Sequence, residues 1–392
     1  MTCKFDFGMR LRIFHSLNEL PLVFANLLST SCSQSYFDSD SWYRVLVRET
    51  LDPRDELRLY GVEDDERQAL CLLAACRRRP RGLAGGYCGR RSLASLTNVY
   101  SVSFAINCAA ETKARDAAID FLIDGITAER PRWCEIEFRF LDRQAGTFDR
   151  LCAALRRNGY IVQQYFQYGN YYRPFVGMTC AEYVAGLRSG IRRTLAQRTR
   201  KLERSGCACF ELETGGAELE RHMADYEVTY RNSWKGDESK PGFIRALIRQ
   251  SAADGALRLG ILYVDGTPAA TQLAFTWAGK ATMYKTAYDE RFSKLGVGGI
   301  VIMKVIQHLV DIEHVAEIDF GVGEEAYKQE WFSQRRERWG ILALHPLTVY
   351  GSTTIFCQVG GKLSKGVSAK ISRGMAARIA KRPGAPTGPR PS

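Results

Sequence analysis

The chain has 392 residues, 45% hydrophobic and 25% charged, with 55 Lys and Arg against 43 Asp and Glu for a net charge of +12. These proportions belong to a soluble globular protein and exclude a disordered, collagenous or coiled-coil chain, and the length suits two domains or three small ones. No run of ~18 apolar residues is present, so no transmembrane helix is expected.

In the first half, Glu56–Val62, Ala69–Arg77 and Leu93–Ile106 are expected as strands of a meander. Thr112–Ile126 is expected as an amphipathic helix, Cys134–Phe140 as a strand, Thr147–Asn158 as a helix and Tyr160–Tyr168 as a strand. Arg77-Arg78-Arg79-Pro80-Arg81 reads as a hairpin tip without an assigned role. The halves divide near Tyr171–Pro174.

The second half begins with Tyr183, Leu187, Ile191, Leu195 and Leu202, which recur near every fourth residue and predict one amphipathic helix ending before Gly206. A strand over Cys207–Glu213 and helices over 216–232 and 241–253 follow. Ala256–Val264 and Pro268–Trp277 are expected to pair through a hairpin turn at Asp265-Gly266, and Ala278-Gly279-Lys280 turns the chain into Ala281–Tyr288. Beyond Gly296-Val297-Gly298-Gly299 comes IVIMKVIQHLVDI, apolar on most faces and therefore a buried helix. Glu317–Phe320 reads as a short strand, EEAYKQEWF as a short helix and Arg338–His345 as the closing strand.

Both halves thus run meander, helix, strand, helix, strand. The expected fold is α/β (α+β): two copies of one unit at 1–172 and 173–350, then a tail at 351–392. The tail has eight basic residues and no acidic one. Leu363, Val367, Ile371, Met375 and Ile379 lie four apart among them, the pattern of a basic amphipathic helix for an anionic membrane surface. A solvated end is the plainer reading.

Three features carry chemistry. A glycine turn between a strand and a helix exposes backbone N–H groups at a helix N-terminus, an anion site typical of phosphate. Gly296, Val297, Gly298 and Gly299 meet that description, whereas the first unit has Asn107-Cys108-Ala109-Ala110 in the same place. A turn that uses glycine only for positive φ is the alternative. The second feature is Asp319-Phe320-Gly321-Val322-Gly323-Glu324-Glu325-Ala326-Tyr327-Lys328, polar groups at the C-terminal end of a strand, where α/β sheets bind ligands. Tyr327 is the candidate proton donor, Glu324 and Asp289 are candidate general bases, and Lys328 a candidate anion holder. The alternative has the glutamates capping the helix and Lys328 solvated. Third, Arg188, Arg192, Arg200 and Arg204 share one helix face with Arg193, Arg198 and Lys201 beside them, either a phosphate-binding stripe or a solvated face. Trp234 and Lys235, in RNSWKG, are candidates for the acceptor cleft, although Trp is more often core.

The twelve cysteines form no CxxC and the five histidines no HxxxH or HExxH, so reduced thiols and no metal site are expected. MTCKFDFGMRLRIFH lacks the apolar run of a secretory signal, which points to a cytoplasmic protein or one that reaches the inner membrane from its cytoplasmic face.

The segments TMYKTAYDERFSKLGVGGIVIMKVI and EIDFGVGEEAYKQEW resemble the GNAT acyltransferase superfamily, and within it the CelD-like acetyltransferases of polysaccharide biosynthesis, relatives of the FemAB aminoacyltransferases. The likeness covers about 180–345 well and the first half in outline. It implies two tandem GNAT-like domains, the first degenerate, each a mixed, largely antiparallel sheet flanked by helices. It further implies that Gly296–Gly299 bind the pyrophosphate of acetyl-CoA or another acyl-CoA, that pantetheine lies between Ala281–Tyr288 and Glu317–Phe320, and that Tyr327 is the general acid. The superfamily usually has Gln or Arg three residues before the first glycine, where this chain has Ser293. The implied activity is transfer of an acyl group to an amine or hydroxyl of a sugar or lipid-linked saccharide, with Lys328, Trp234 and Arg192 on the substrates. Two alternatives are a FemAB-like aminoacyltransferase and a non-catalytic membrane-surface subunit. tRNA is not the expected partner, since no long helical hairpin is visible within 175–345.

Overall fold

The computed structural model describes residues 8–29, 34–79, 91–109, 112–352 and 354. The expected basic amphipathic segment of the tail lies outside them, as do Pro80 and Arg81 of the expected arginine hairpin tip.

The strands and helices that matter here are, in chain order, β1 (Arg10–Phe14), α1 (Asp40–Thr50), β2 (Glu56–Glu63), β3 (Ala69–Arg78), β4 (Ser92–Ser95), β5 (Asn107–Cys108), α2 (Thr112–Ala128), β6 (Glu135–Asp142), α3 (Gly146–Arg157) and β7 (Ile161–Pro174). The second half adds α4 (Cys180–Gly186), α5 (Ser189–Arg204), β8 (Ala208–Glu213), α6 (Leu219–Arg231), α7 (Pro241–Ala253), β9 (Leu257–Val264), β10 (Thr267–Trp277), β11 (Lys280–Tyr288), α8 (Val297–Asp311), β12 (Glu317–Asp319), α9 (Ala326–Trp331) and β13 (Gln334–Leu344). The fold is mixed α/β, one large sheet flanked by helices. Both expected hairpin turns form: Asp265-Gly266 and Ala278-Gly279 have paired positive φ values of 50° and 72°, and 48° and 73°, the backbone that matches strand twist.

The strands form a single sheet in the order β1-β2-β3-β4-β6-β13-β7-β12-β11-β10-β9-β8, with β5 on β3. Only β4·β6 and β11·β12 are parallel among the described pairs. The halves exchange their last strands. β13, from the second half, lies between β6 and β7 of the first, while β7 reaches over to pair with β12. The 14 residues of β7 make this reach possible, pairing β13 from Ile161 to Tyr172 and β12 from Tyr172 to Pro174.

One buried cluster crosses the halves on one face of the sheet, joining Phe37 and Trp42 to Phe243, Phe275 and Leu273. α2 and α3 cover the first half's other face, and α8 covers the second's, with Ile302, Val305, Ile306 and Leu309 buried. α8 is as buried as its composition requires.

Two elements differ from the sequence reading. Leu93–Ile106 is not one strand: β4 ends at Ser95, and the Asn98 side chain accepts the Tyr100 N–H at 2.8 Å, turning the chain out of the sheet. The helix expected through Tyr183 and Leu202 is two helices, because Leu187 and Arg188 are extended and Leu187 is drawn into the core. Among the described residues no helix is long and apolar enough to cross a membrane, and no His, Cys, Asp and Glu group is arranged to hold a metal.

Candidate functional site

β11 and β12 pair over only three residues each, Lys280–Thr282 with Glu317–Asp319. β11 then runs on to Tyr288 while the other chain turns away through Gly321 and Gly323, at φ +59° and +107°, values that glycine alone adopts freely. A buried lock holds this turn. Asn170 on β7 donates to Asp319 Oδ1 at 3.0 Å and to the Gly321 carbonyl at 2.8 Å, Asp319 accepts the Gly321 N–H at 2.7 Å, and Arg336 Nε donates to Asn170 Oδ1 at 2.6 Å. The two strands therefore splay, opening a wedge toward Tyr288.

The glycine turn stands at the wide end. A short 3₁₀ turn over Glu290–Leu295 is capped by Asp289 and ended by Gly296, whose φ of +70° makes it the cap of α8. The Gly299 and Ile300 N–H groups bond back to the Gly296 carbonyl, so the helix presents the N–H groups of Val297 and Gly298 at its positive end. Neighbours fit against the missing side chains. A Cβ on Gly298 would stand 2.8 Å from the Tyr288 ring, one on Gly299 3.2 Å from Leu195, and one on Gly296 2.5 Å from the Arg198 guanidinium. α5 thus lies across the turn, and Arg198 is the arginine that reaches it. Arg192, singled out from the sequence, instead donates to the Ala185 carbonyl at 2.6 Å and fastens α5 to α4.

Asp289 is buried and bonded on every side: to Arg291 at 2.7 Å, to Asn232 Nδ2 at 2.9 Å and to the Arg291 N–H at 3.0 Å. Its hydrogen bonds with Arg291 above all hold its carboxyl below the usual carboxylate range. Through Asn232, whose carbonyl accepts the Glu290 N–H, it ties the RNSWKG segment to the glycine turn. Trp234 is 52% exposed and lies against Tyr288, ring centres 4.7 Å apart, so the exposed indole continues the wall that covers Gly298.

Tyr327, on α9, packs edge-on against Phe320, with its hydroxyl near the Thr286 side chain on β11. Desolvation of its hydroxyl, and then the charge of Glu325, push its pKa up to about 12, so it carries its proton at neutral pH. Lys328 is buried and donates to the Val322 carbonyl and, at 2.9 Å, to Glu325. Glu324 points elsewhere, paired with Arg335 at 2.7 Å over Gly169.

Lys235 completes the wedge. Its ammonium donates at 2.8 Å to the Thr286 carbonyl, which the splay leaves facing the wedge, and lies over the rings of Trp234 and Tyr230 at 5.3 and 5.6 Å. Desolvation, then repulsion from Lys285 and Lys328, lowers its pKa to about 8. Lys285 is held nearby by Glu238 at 2.6 Å, and Tyr100 bonds the same carboxylate at 2.8 Å from the first half. Thr286, Lys285, Glu238 and Tyr100 were not legible as site residues, since nothing in their local sequence sets them apart. For Lys235 the signal was its place after Trp234.

Residues 189–329 match the family described as Acetyltransferase (GNAT) domain, a span that contains the glycine turn, the wedge, Lys235 and Tyr327. The chain carries a GNAT acetyltransferase domain. It is accordingly an enzyme of the acyltransferase class. Among solved structures, FemX shares 10% identity over 85% of this chain and 96% of its own, at a TM-score of 0.61, and so has the same fold through both halves. A lysylphosphatidylglycerol synthetase C-terminal domain from Agrobacterium fabrum (10% identity, 82% and 90% coverage, TM-score 0.48) and a tandem GNAT protein of the clavulanic acid pathway (9%, 84% and 98%, 0.46) are more distant. No curated protein matches the chain by sequence.

Proposed function

We propose that the GNAT domain transfers an acetyl or related acyl group from acyl-CoA to an amine or hydroxyl of a saccharide acceptor, in a CelD-like role in polysaccharide or cell-envelope synthesis at the cytoplasmic side of the membrane. The observation that carries the reading is the convergence of three groups on the β11/β12 wedge: the glycine turn, the Tyr327 hydroxyl and the Lys235 ammonium. In this reading the helix N-terminus at Val297–Gly299 and Arg198 hold the pyrophosphate. The thioester lies along β11, where the Thr286 N–H, which projects to the same side as its carbonyl, polarises the acyl oxygen.

The acceptor nitrogen or oxygen attacks the thioester carbon, the new C–N or C–O bond forms and the C–S bond breaks. Neutral Lys235 takes the proton the acceptor loses, and Tyr327 gives its proton to the leaving sulfur. Lys328, fixed by Glu325, supplies positive charge beside the wedge. Asp289 and Glu324 are positioning residues, the first for the RNSWKG segment and the second for Arg335. The acceptor has room in a cleft of about 490 Å³ lined by Thr50, Asn98, Tyr100, Arg139 and Lys240 together with the apolar Leu46, Leu51, Leu96 and Val99, a mixed wall that offers partners to hydroxyl groups. Tyr100 links that cleft to Glu238 and Lys285. The division we propose, 1–172 and 173–350, puts the donor site in the second unit and most of the acceptor wall in the first. An acyl-transfer assay with acetyl-CoA tests the donor assignment: Gly298→Glu is expected to abolish turnover, and full activity in that variant would overturn it.

An aminoacyl-tRNA donor, as in the FemAB relatives, has one observation in its favour. Arg193, Arg198, Arg200, Lys201 and Arg204 are exposed on α5, the helix that lies across the glycine turn, with Arg188 just before it, and only Glu203 offsets them there. Such a stripe suits a chain of phosphates. It predicts tRNA binding that falls steeply with salt, in contrast to the single pyrophosphate of coenzyme A.

A further inference from the structure

The first half has a wedge of its own. β4 and β6 run parallel and pair over three residues each, Ser92–Ala94 with Glu135–Glu137, the same short pairing that opens the donor wedge between β11 and β12. Beyond it the chain at 101–106 leaves the sheet, touching β6 through the Phe104 N–H on the Phe140 carbonyl at 3.1 Å, and a cavity of about 530 Å³ lies beside this segment and the end of β6 at Asp142. Its floor comes from the second half, through Lys280, Thr282, Arg336 and Arg338. The glycines are missing, so no backbone cradle for pyrophosphate forms here, and side chains line the space instead.

The uncommitted groups in this lining are donors. The Arg338 side chain is 10% exposed; its Nη1 bonds Asp142 at 2.9 Å, and its buried Nε has no partner among the described residues. Arg115, also lining the cavity, has a side chain 40% exposed; its Nε makes no hydrogen bond among them and stands 3.9 Å from Asp116 Oδ1. The carboxylates, by contrast, are committed. Asp142 pairs with Arg338, Glu317 and Asp319 pair with Arg336 at 2.8 and 3.3 Å, and Asp38 accepts the Ala105 N–H at 3.0 Å. Burial lifts the Asp38 carboxyl to about 7, which removes part of its charge near neutral pH. Buried polar atoms in folded proteins are almost always paired, so the open Nε of the nine-tenths buried Arg338, with a second guanidinium on the same cavity, points to an acceptor that belongs there. Across from them stands an aromatic wall, Tyr36 stacked on Phe275 at 5.1 Å and set edge-on to Trp277 at 5.5 Å.

We infer that this cavity is a second ligand site, separate from the donor wedge, for a small organic anion whose carboxylate or phosphate bridges Arg338 and Arg115 and whose flat body lies against Tyr36, Phe275 and Trp277. The volume suits a molecule of that size.

Calorimetric titration of the full chain with phenyl phosphate, benzoate and inorganic phosphate tests the site. One of the two ring-bearing anions is expected to bind, more tightly than inorganic phosphate, and the choice between them identifies the head group. Arg115→Gln and Arg338→Gln are each expected to weaken that binding about tenfold, with Gly298→Glu leaving it unchanged. Should Arg338→Gln fail to fold, Arg115→Gln and Trp277→Leu give the same reading. Absence of binding by all three probes would overturn the inference. So would binding that survives Arg115→Gln and is lost in Gly298→Glu, which would put the anion on the glycine turn.

Discussion

The Lys235 ammonium donates a 2.8 Å hydrogen bond to the Thr286 carbonyl, bridging the wedge at the point where β11 has lost its strand partner. A lysine with a pKa of about 8 thus holds the main chain of the residue whose side chain faces the protonated Tyr327, two groups whose surroundings drive their proton affinities apart. It is the arrangement from which the acid and base roles above are assigned.

If Lys235 is the base, it must be neutral to act, so kcat/KM is expected to rise with pH through about 8 and level off above it. Lys235→Met is expected to lower kcat about 100-fold and to remove that rising limb. A pH–rate profile measures both. An unchanged limb in the variant would assign the titration to another group.

Tyr327→Phe removes the proton for the leaving sulfur and leaves the packing on Phe320 in place. We expect kcat to fall about 30-fold with KM little changed, the pattern of an interaction made in the transition state. A thioester with a more acidic leaving thiol needs that proton less and should recover most of the loss. Equal loss with both thioesters would speak against the acid role.

Arg198 is expected to act on donor binding. Arg198→Ala should raise the Kd for the donor about tenfold and reduce its salt dependence, while Arg192→Ala, which loses only a bond to the Ala185 carbonyl, should leave the Kd within about twofold. Titration of acetyl-CoA at two salt concentrations distinguishes them.

Asn170→Ala is expected to cost stability. Asn170 is fully buried, and its amide serves Asp319, the Gly321 carbonyl and Arg336 at once. Removing it leaves buried polar partners unpaired, about 3 kcal/mol from the penalty of about 1–3 kcal/mol per group. Urea unfolding would show it as a lower midpoint. A variant as stable as the parent would mean that water replaces the amide.

What could be read from the residues in order was local. Asp265-Gly266 and Ala278-Gly279 form their turns because a two-residue hairpin needs positive φ at adjacent positions, a demand met within the turn itself. The apolar run after Gly299 became a buried helix for an equally local reason, since it is apolar on most faces and has only a narrow polar stripe at Lys304, Gln307 and Asp311. Gly296 takes its positive φ, and the turn sits at the start of that helix as its spacing indicated.

Tertiary structure decided the rest. Leu93–Ile106 has strand composition throughout, yet Asn98 turns it out of the sheet and leaves the first half with an open wedge. The exchange of β7 and β13 depends on hydrogen bonding between strands some 170 residues apart in the chain, which periodicity does not encode. Choosing Arg198 over Arg192 required the angle at which α5 crosses the glycine turn, because helical spacing gives a face and not what that face meets. Lys235, Thr286 and Tyr327 meet only because β11 and β12 stop pairing after three residues, and the reason they stop, the Asn170–Asp319 lock, joins two residues 149 positions apart.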